Sequence, residues 1–167
     1  MILNFKEPNK CVAYQHFRMN SLKCVTSLTT QGCYMASVDV RDAYYTVPVA
    51  LAHQKYLKFT WRDKLYQYTC VPDCLASTPR IFTKLLKPVF KVLREKGHLS
   101  SSYIDECYLQ GDSFDECHVN VKDTTLLFKE LDFPTPWKIS GCTSTDTDIR
   151  GFRTEFSHHD CTVNYRT

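Results

Sequence analysis

The chain predicts an α+β fold, one antiparallel sheet with helices packed on a single face. Three observations carry this. Apolar runs of strand length occur in hairpin pairs, and two longer segments carry the roughly 3.6-residue period of an amphipathic helix. The elements also follow the order strand, hairpin, helix, hairpin, helix, strand, rather than the strict strand–helix repeat of a parallel sheet. A length of 167 residues suits one core and is short for two. No repeat, low-complexity tract or Gly/Ser linker divides the chain.

The first strand is expected at Tyr34–Val40, an apolar, β-branched run that carries the carboxylate of Asp39 near its end. Tyr56–Thr60 and Leu65–Thr69 flank the polar turn Arg62-Asp63-Lys64 and read as a hairpin. The strongest helix opens at Pro79 and closes at Gly97, the favoured places for those two residues. Ile81, Phe82, Leu85, Leu86, Val89, Val92 and Leu93 fall on its inner face. Arg80, Lys84, Lys87, Lys91 and Arg94 form a basic stripe opposite, and Pro88 removes one internal donor, which predicts a bend. Leu99–Leu109 reads as a second hairpin with acids at its turn. A second helix follows, with Ser113 as N-cap and Glu116 completing a capping box. Cys117, Val121, Thr124, Phe128 and Leu131 line its inner face, and two short strands are expected around Phe152 and Val163.

A hydrophobic fraction of 43% belongs to a folded protein, and a net charge of +3 does not by itself argue for nucleic acid. The nine cysteines are odd in number and include no C-x-x-C. With no signal peptide and no run of membrane-spanning length, they read as reduced thiols of an intracellular protein, cytoplasmic or nuclear. A metal site from Cys142, His158, His159 and Cys161 matches no zinc spacing.

Two acidic clusters interrupt or end apolar strands: Ser37-Val38-Asp39-Val40-Arg41-Asp42 and Tyr103-Ile104-Asp105-Glu106. A buried carboxylate is costly unless a cation compensates it. Two brought together by a sheet repel unless hard cations lie between them. Oxygen-only ligands suit Mg²⁺, and nucleotidyl transfer uses two such ions about 4 Å apart. Asp42 fits a structural ion pair as well as chemistry, Tyr44 and Tyr45 fit core aromatics, and the basic stripe fits a solvated face as well as a phosphate contact.

These blocks resemble the reverse transcriptase family. Ser37-Val38-Asp39-Val40-x-Asp42-Ala43-Tyr44-Tyr45-x-Val47-Pro48 is similar to the family's first catalytic block, and Tyr103-Ile104-Asp105-Glu106 to its Y-x-D-D box. Val71-Pro72-Asp73-Cys74 through Pro79-Arg80-Ile81-Phe82 follows the L-P-x-G-x-x-x-x-P-x-x-F spacing between them. Leu131-Asp132-Phe133, Lys138 and Ile149-Arg150-Gly151-Phe152 resemble the later L-G-F, lysine and F-L-G-F elements. The wording Pro79-Arg80-Ile81-Phe82-Thr83-Lys84-Leu85-Leu86 is similar to DIRS-type retrotransposons.

The resemblance implies a single partial domain over 1–167, with fingers at about 1–18 and 47–77, palm at about 19–46 and 78–167, and no thumb or RNase H. It implies two Mg²⁺ ions held by Asp39 and Asp105, with Glu106 at a third carboxylate position. Tyr44 becomes a steric gate against a ribose 2′-hydroxyl, Asp73 and Cys74 border the incoming nucleotide, and Lys138 lies near the leaving pyrophosphate. The basic stripe faces nucleic acid, and the implied partners are a primed RNA or DNA template and deoxynucleoside triphosphates, with no membrane.

This copy departs from the pattern at several places. Cys74 stands for a glycine, Asp73 for a neutral amide, Glu106 for an aspartate and Asp132 for a turn glycine, while Arg150 puts charge into an apolar stretch. Little or no polymerase activity is the resulting expectation.

Overall fold

The computed structural model describes residues 4–20, 27–40 and 42–133, and the backbone of 138–144. Along the chain come α1 (Lys6–Lys10), β1 (Tyr34–Asp39), a 3-10 turn (Ala43–Thr46), α2 (Leu51–Gln54), β2 (Lys58–Trp61) and β3 (Lys64–Gln67). They are followed by α3 (Thr78–Glu95), β4 (Leu99–Tyr103), β5 (Glu106–Gly111), α4 (Phe114–Glu130) and β6 (Lys138–Ser144).

β1 lies inside an antiparallel sheet of order β4-β5-β1-β6. Its alternation sorts the two faces. Ala36 and Val38 join Cys107 and Leu109 beneath the helices, whereas Met35 and Tyr108 form a smaller cluster with Cys33 on the other face. Helix α3 covers the first face with Phe82, Leu86, Val89, Phe90 and Leu93, and α4 with Cys117 and Phe128. The α+β prediction, with helices on one sheet face, therefore holds.

Three inner-face assignments need correction. Leu85, Val92 and Leu131 are 42%, 40% and 49% exposed. The buried arc of α3 is rotated toward Phe90, which leaves Leu85 and Val92 on its rim. Leu131 falls at the end of α4, and Phe133 folds back instead to meet Phe128 at 5.4 Å between ring centroids. Sequence periodicity also missed Asn120. Its buried side-chain amide donates to Leu99 O at 2.9 Å and Gln110 O at 3.0 Å, bolting α4 to β4 and β5.

Both long helices end in the same motif. In α3, His98 N donates to Leu93 O and Gly97 N to Arg94 O, with Gly97 at φ +87°. In α4, Phe133 N donates to Phe128 O and Asp132 N to Lys129 O, with Asp132 at φ +56°. This is the Schellman arrangement, whose left-handed position favours glycine. At the start of α4, Ser113 Oγ accepts from Glu116 N at 3.2 Å as the capping box predicts. The Glu116 carboxylate accepts from Asp112 N at 2.9 Å, one residue earlier than expected.

Pro79 is the second residue of α3 rather than the first, and the helix runs unbroken through Pro88. The β2–β3 hairpin is narrower than predicted, turning on Arg62 and Asp63, both at positive φ as a two-residue hairpin loop demands. Strand β6 was not foreseen. The strands expected around Phe152 and Val163, and the Cys142, His158, His159 and Cys161 side chains, lie outside the described residues. Among the described residues no helix is long and apolar enough to cross a membrane.

Candidate catalytic site

The two acidic clusters meet at one end of the sheet. Asp39 is the last residue of β1, Asp105 lies with Ile104 in the two-residue turn from β4 to β5, and Glu106 opens β5. The register sets Asp39 opposite Glu106 on one side and opposite Lys138 on the other. Val40 N donates to Asp105 O at 3.0 Å and fastens the turn to the end of β1. Directly paired residues share a face. Asp39 and Glu106 therefore lie on the Met35–Tyr108 face, away from the helices.

Ile104 has φ +57°, a left-handed conformation that costs a β-branched residue about 1–2 kcal/mol. Pairing of Tyr103 with Glu106 and the Val40 bond impose it from both sides. The three carboxylates are half-buried. Their field reaches Cys107, whose thiol is pushed up first by full burial and then by Asp105, Glu106 and Asp39. Cys107 pairs with Val38 and belongs to the helix-covered core on the opposite face, so the donors at this strand end are oxygens. Oxygen donors fit Mg²⁺, which binds through one or two carboxylates and completes its shell with water and phosphate. Among the described residues, no three His, Cys, Asp or Glu side chains form a ready cage for one ion. An ion here would need substrate oxygens to complete its shell.

The segment expected to border the nucleotide is held by residues that sequence reasoning missed. Tyr44 is half-buried, its ring edge-on to Phe82 at 5.4 Å. Tyr45 turns outward, and its hydroxyl donates to Asp73 Oδ2 at 2.8 Å. That bond, followed by burial and the Asp73 charge, pushes the Tyr45 phenol well up, so it remains a donor at neutral pH. Cys74 is exposed and has no positive φ, so its backbone conformation does not itself require the family's glycine. Asn9 staples this loop across 65 residues: its amide donates to Cys74 O at 2.9 Å and its oxygen accepts from Ala76 N at 2.8 Å. No local pattern announces Asn9. Thr78 Oγ1 donates to Pro72 O at 2.8 Å and closes the loop onto α3.

The basic stripe is on α3, with Arg80 half-buried and Lys84, Lys87, Lys91 and Arg94 exposed. The fold does not bring it to the carboxylates, because α3 covers the opposite sheet face. Of Lys138 the backbone alone is described.

Residues 2–138 match the family described as reverse transcriptase (RNA-dependent DNA polymerase). The chain belongs to the reverse transcriptase family. Among its relatives is the Pro-Pol polyprotein of feline foamy virus, 24% identical over 156 residues, or 92% of this chain and 13% of the viral one. The Pol polyprotein of equine infectious anemia virus (isolate CL22) is 25% identical over 113 residues, covering 62% of this chain and 10% of that one. The chain thus spans a small part of the curated relatives it matches. The protease–reverse transcriptase of prototype foamy virus, as a selenomethionine-labelled CSH mutant, superposes with a TM-score of 0.68 at 17% identity, covering 86% of this chain and 18% of that one. The foamy viral enzyme in complex with an RNA/DNA hybrid gives a TM-score of 0.67 at 22% identity, covering 83% and 18%. The fold is that of these reverse transcriptases.

Proposed function

We propose that the chain is the catalytic core of an RNA-directed DNA polymerase from a retroelement, in a copy whose nucleotide pocket has lost catalytic fitness. The observation that carries this reading is Asp39 set between Glu106 and Lys138 across three strands, with Asp105 in the adjoining turn. Asp39 and Asp105 would hold the two Mg²⁺ ions, and Glu106 would offer a third carboxylate with a longer arm. When bound, the ions activate the attacking hydroxyl and stabilise the leaving oxygen. Lys138 lies near the leaving pyrophosphate, and Tyr44 walls the sugar side of a deoxynucleoside triphosphate. The basic stripe from Arg80 to Arg94 contacts the primed RNA or DNA template. The Pro79–Leu86 wording supports a DIRS-type retrotransposon source.

Loss of fitness follows from the loop. Asp73 puts an anion beside the triphosphate, and one hydrogen bond from Tyr45 leaves its charge in place. Cys74 adds a side chain where the backbone must approach the nucleotide. Positioning supplies much of the rate in phosphoryl transfer, so these displacements are expensive.

Two measurements test this. Mn²⁺ binding followed by electron paramagnetic resonance should weaken on Asp39→Asn and on Asp105→Asn; unchanged binding in both overturns the metal assignment. Template-dependent incorporation of labelled deoxynucleotide should be at most a trace in the native sequence. It should rise when Asp73→Gln, Cys74→Gly and Glu106→Asp are combined. Robust native activity overturns the loss of fitness, and silence of the folded triple variant overturns the pocket argument.

A further inference from the structure

At the β4 edge of the sheet, the flank of α3 and the strand enclose a hollow of about 460 Å³. Lys87, Lys91 and Arg94 line it from α3, Ser100 and Ser102 from β4, and Arg18 from the segment before residue 20. Arg18 lies far from the others in sequence and no helical pattern includes it. Among the described residues no acidic side chain lines the hollow. Among the described residues Arg18, Lys87 and Arg94 have no acidic partner, and Lys91 has only the exposed Glu95 at 3.7 Å. Such an exposed pair neutralises little.

A second observation points to an oxyanion. Ser100 is 7% exposed, and its Oγ is shielded from solvent without a hydrogen-bond partner. A buried polar group without a partner is uncommon in folded proteins. Here it stands in the wall of a cationic hollow. We infer that this hollow is a phosphate-backbone site, gripping one strand of nucleic acid beside the β4 edge. The site deepens the nucleic-acid reading above and rests on it. Arginine forks and lysine ammoniums match phosphate oxygens. Among the described residues lining the hollow the one aromatic ring, Phe90, is 4% exposed and cannot stack a base, so recognition is of the backbone and independent of sequence. Strand β4 runs from the hollow toward the turn that holds Asp105.

The hollow divides the basic stripe, because Arg80 and Lys84 do not line it. The test is fluorescence anisotropy of the full chain with a labelled 20-nucleotide DNA, in chelator so that metal binding plays no part. Arg18→Gln and Lys91→Gln should each weaken binding about fivefold and lower the salt slope by about one. Ser100→Ala should weaken binding without changing the slope, because no charge is lost. Lys122→Gln and Lys129→Gln, exposed on α4 outside both the stripe and the hollow, should stay within about twofold of the native chain, and thermal melts should confirm that every variant is folded. Equal losses at Lys129 and Lys91, or none at Arg18, overturn the inference. So does displacement of the oligonucleotide by inorganic phosphate at matched phosphate concentration, or by polyglutamate at matched charge. Mn²⁺ binding at the carboxylates is untouched by these variants, so failure here is distinguishable from failure of the polymerase reading.

Discussion

Replacing Asp132 with glycine should stabilise the protein. Asp132 occupies the left-handed position of the motif that ends α4, at φ +56°, where Gly97 stands in the equivalent motif of α3. Holding an L-residue there costs about 1–2 kcal/mol, with aspartate at the lower end because its short side chain bonds locally. Its charge also faces the negative end of the α4 dipole, for a further ~0.5 kcal/mol. Against these gains, glycine loses more freedom on folding, about 0.4–1 kcal/mol. The balance is a gain of about 1 kcal/mol, or roughly 3 °C in Tm for a chain of this size. Asp132→Asn separates the contributions, because it removes the charge and keeps the Cβ; about half of the gain should remain. Gly97→Ala is the mirror experiment. A Cβ there meets nothing within 4 Å, so its cost is conformational alone and should be about 1 kcal/mol. Urea titration reads all three as shifts in midpoint at constant slope. An unchanged or lowered midpoint for Asp132→Gly would refute the reasoning.

Gly111→Ala should be the more damaging glycine change, because its Cβ would lie 2.3 Å from Cys117 N and 2.8 Å from Glu116 C, both backbone atoms of the first turn of α4. A loss of about 3 kcal/mol in urea titration is expected, and a loss below about 1 kcal/mol would show that α4 moves freely from β5. Asp123 links α3 to α4, held below the ordinary carboxylate range first by the His98 hydrogen bond at 3.0 Å and then by Lys96. A depressed folded value means stability that is present above the ordinary aspartate pKa of 3.8 and lost as pH falls through the lower folded value. Asp123→Asn should therefore flatten the fall in Tm across the acid range, and an unchanged profile would show that the pair contributes nothing.

Local chemistry made much of this protein legible. The apolar run of β1, the periodicity of α3 and the cap at Ser113 each act over a few residues, so each could be placed from the chain. The acidic blocks were legible because carboxylates interrupting or ending apolar strands need an explanation wherever the strands go. Asp132 was visible as a substitution for glycine before its φ was known. Strand β6 was not, because Lys138–Ser144 is polar and interrupted by glycine, and it becomes a strand by pairing with β1. Nor could the sequence decide which rim of α3 is dry: Leu85 and Phe90 look alike on a helical wheel until the sheet beneath chooses between them. Asn9 at the Cys74 loop, Asn120 between two strand carbonyls and Arg18 beside Lys91 depend on contacts tens of residues apart. Hydrogen bonds and charges act over a few ångströms of space, and tertiary packing alone brings such distant residues within that range.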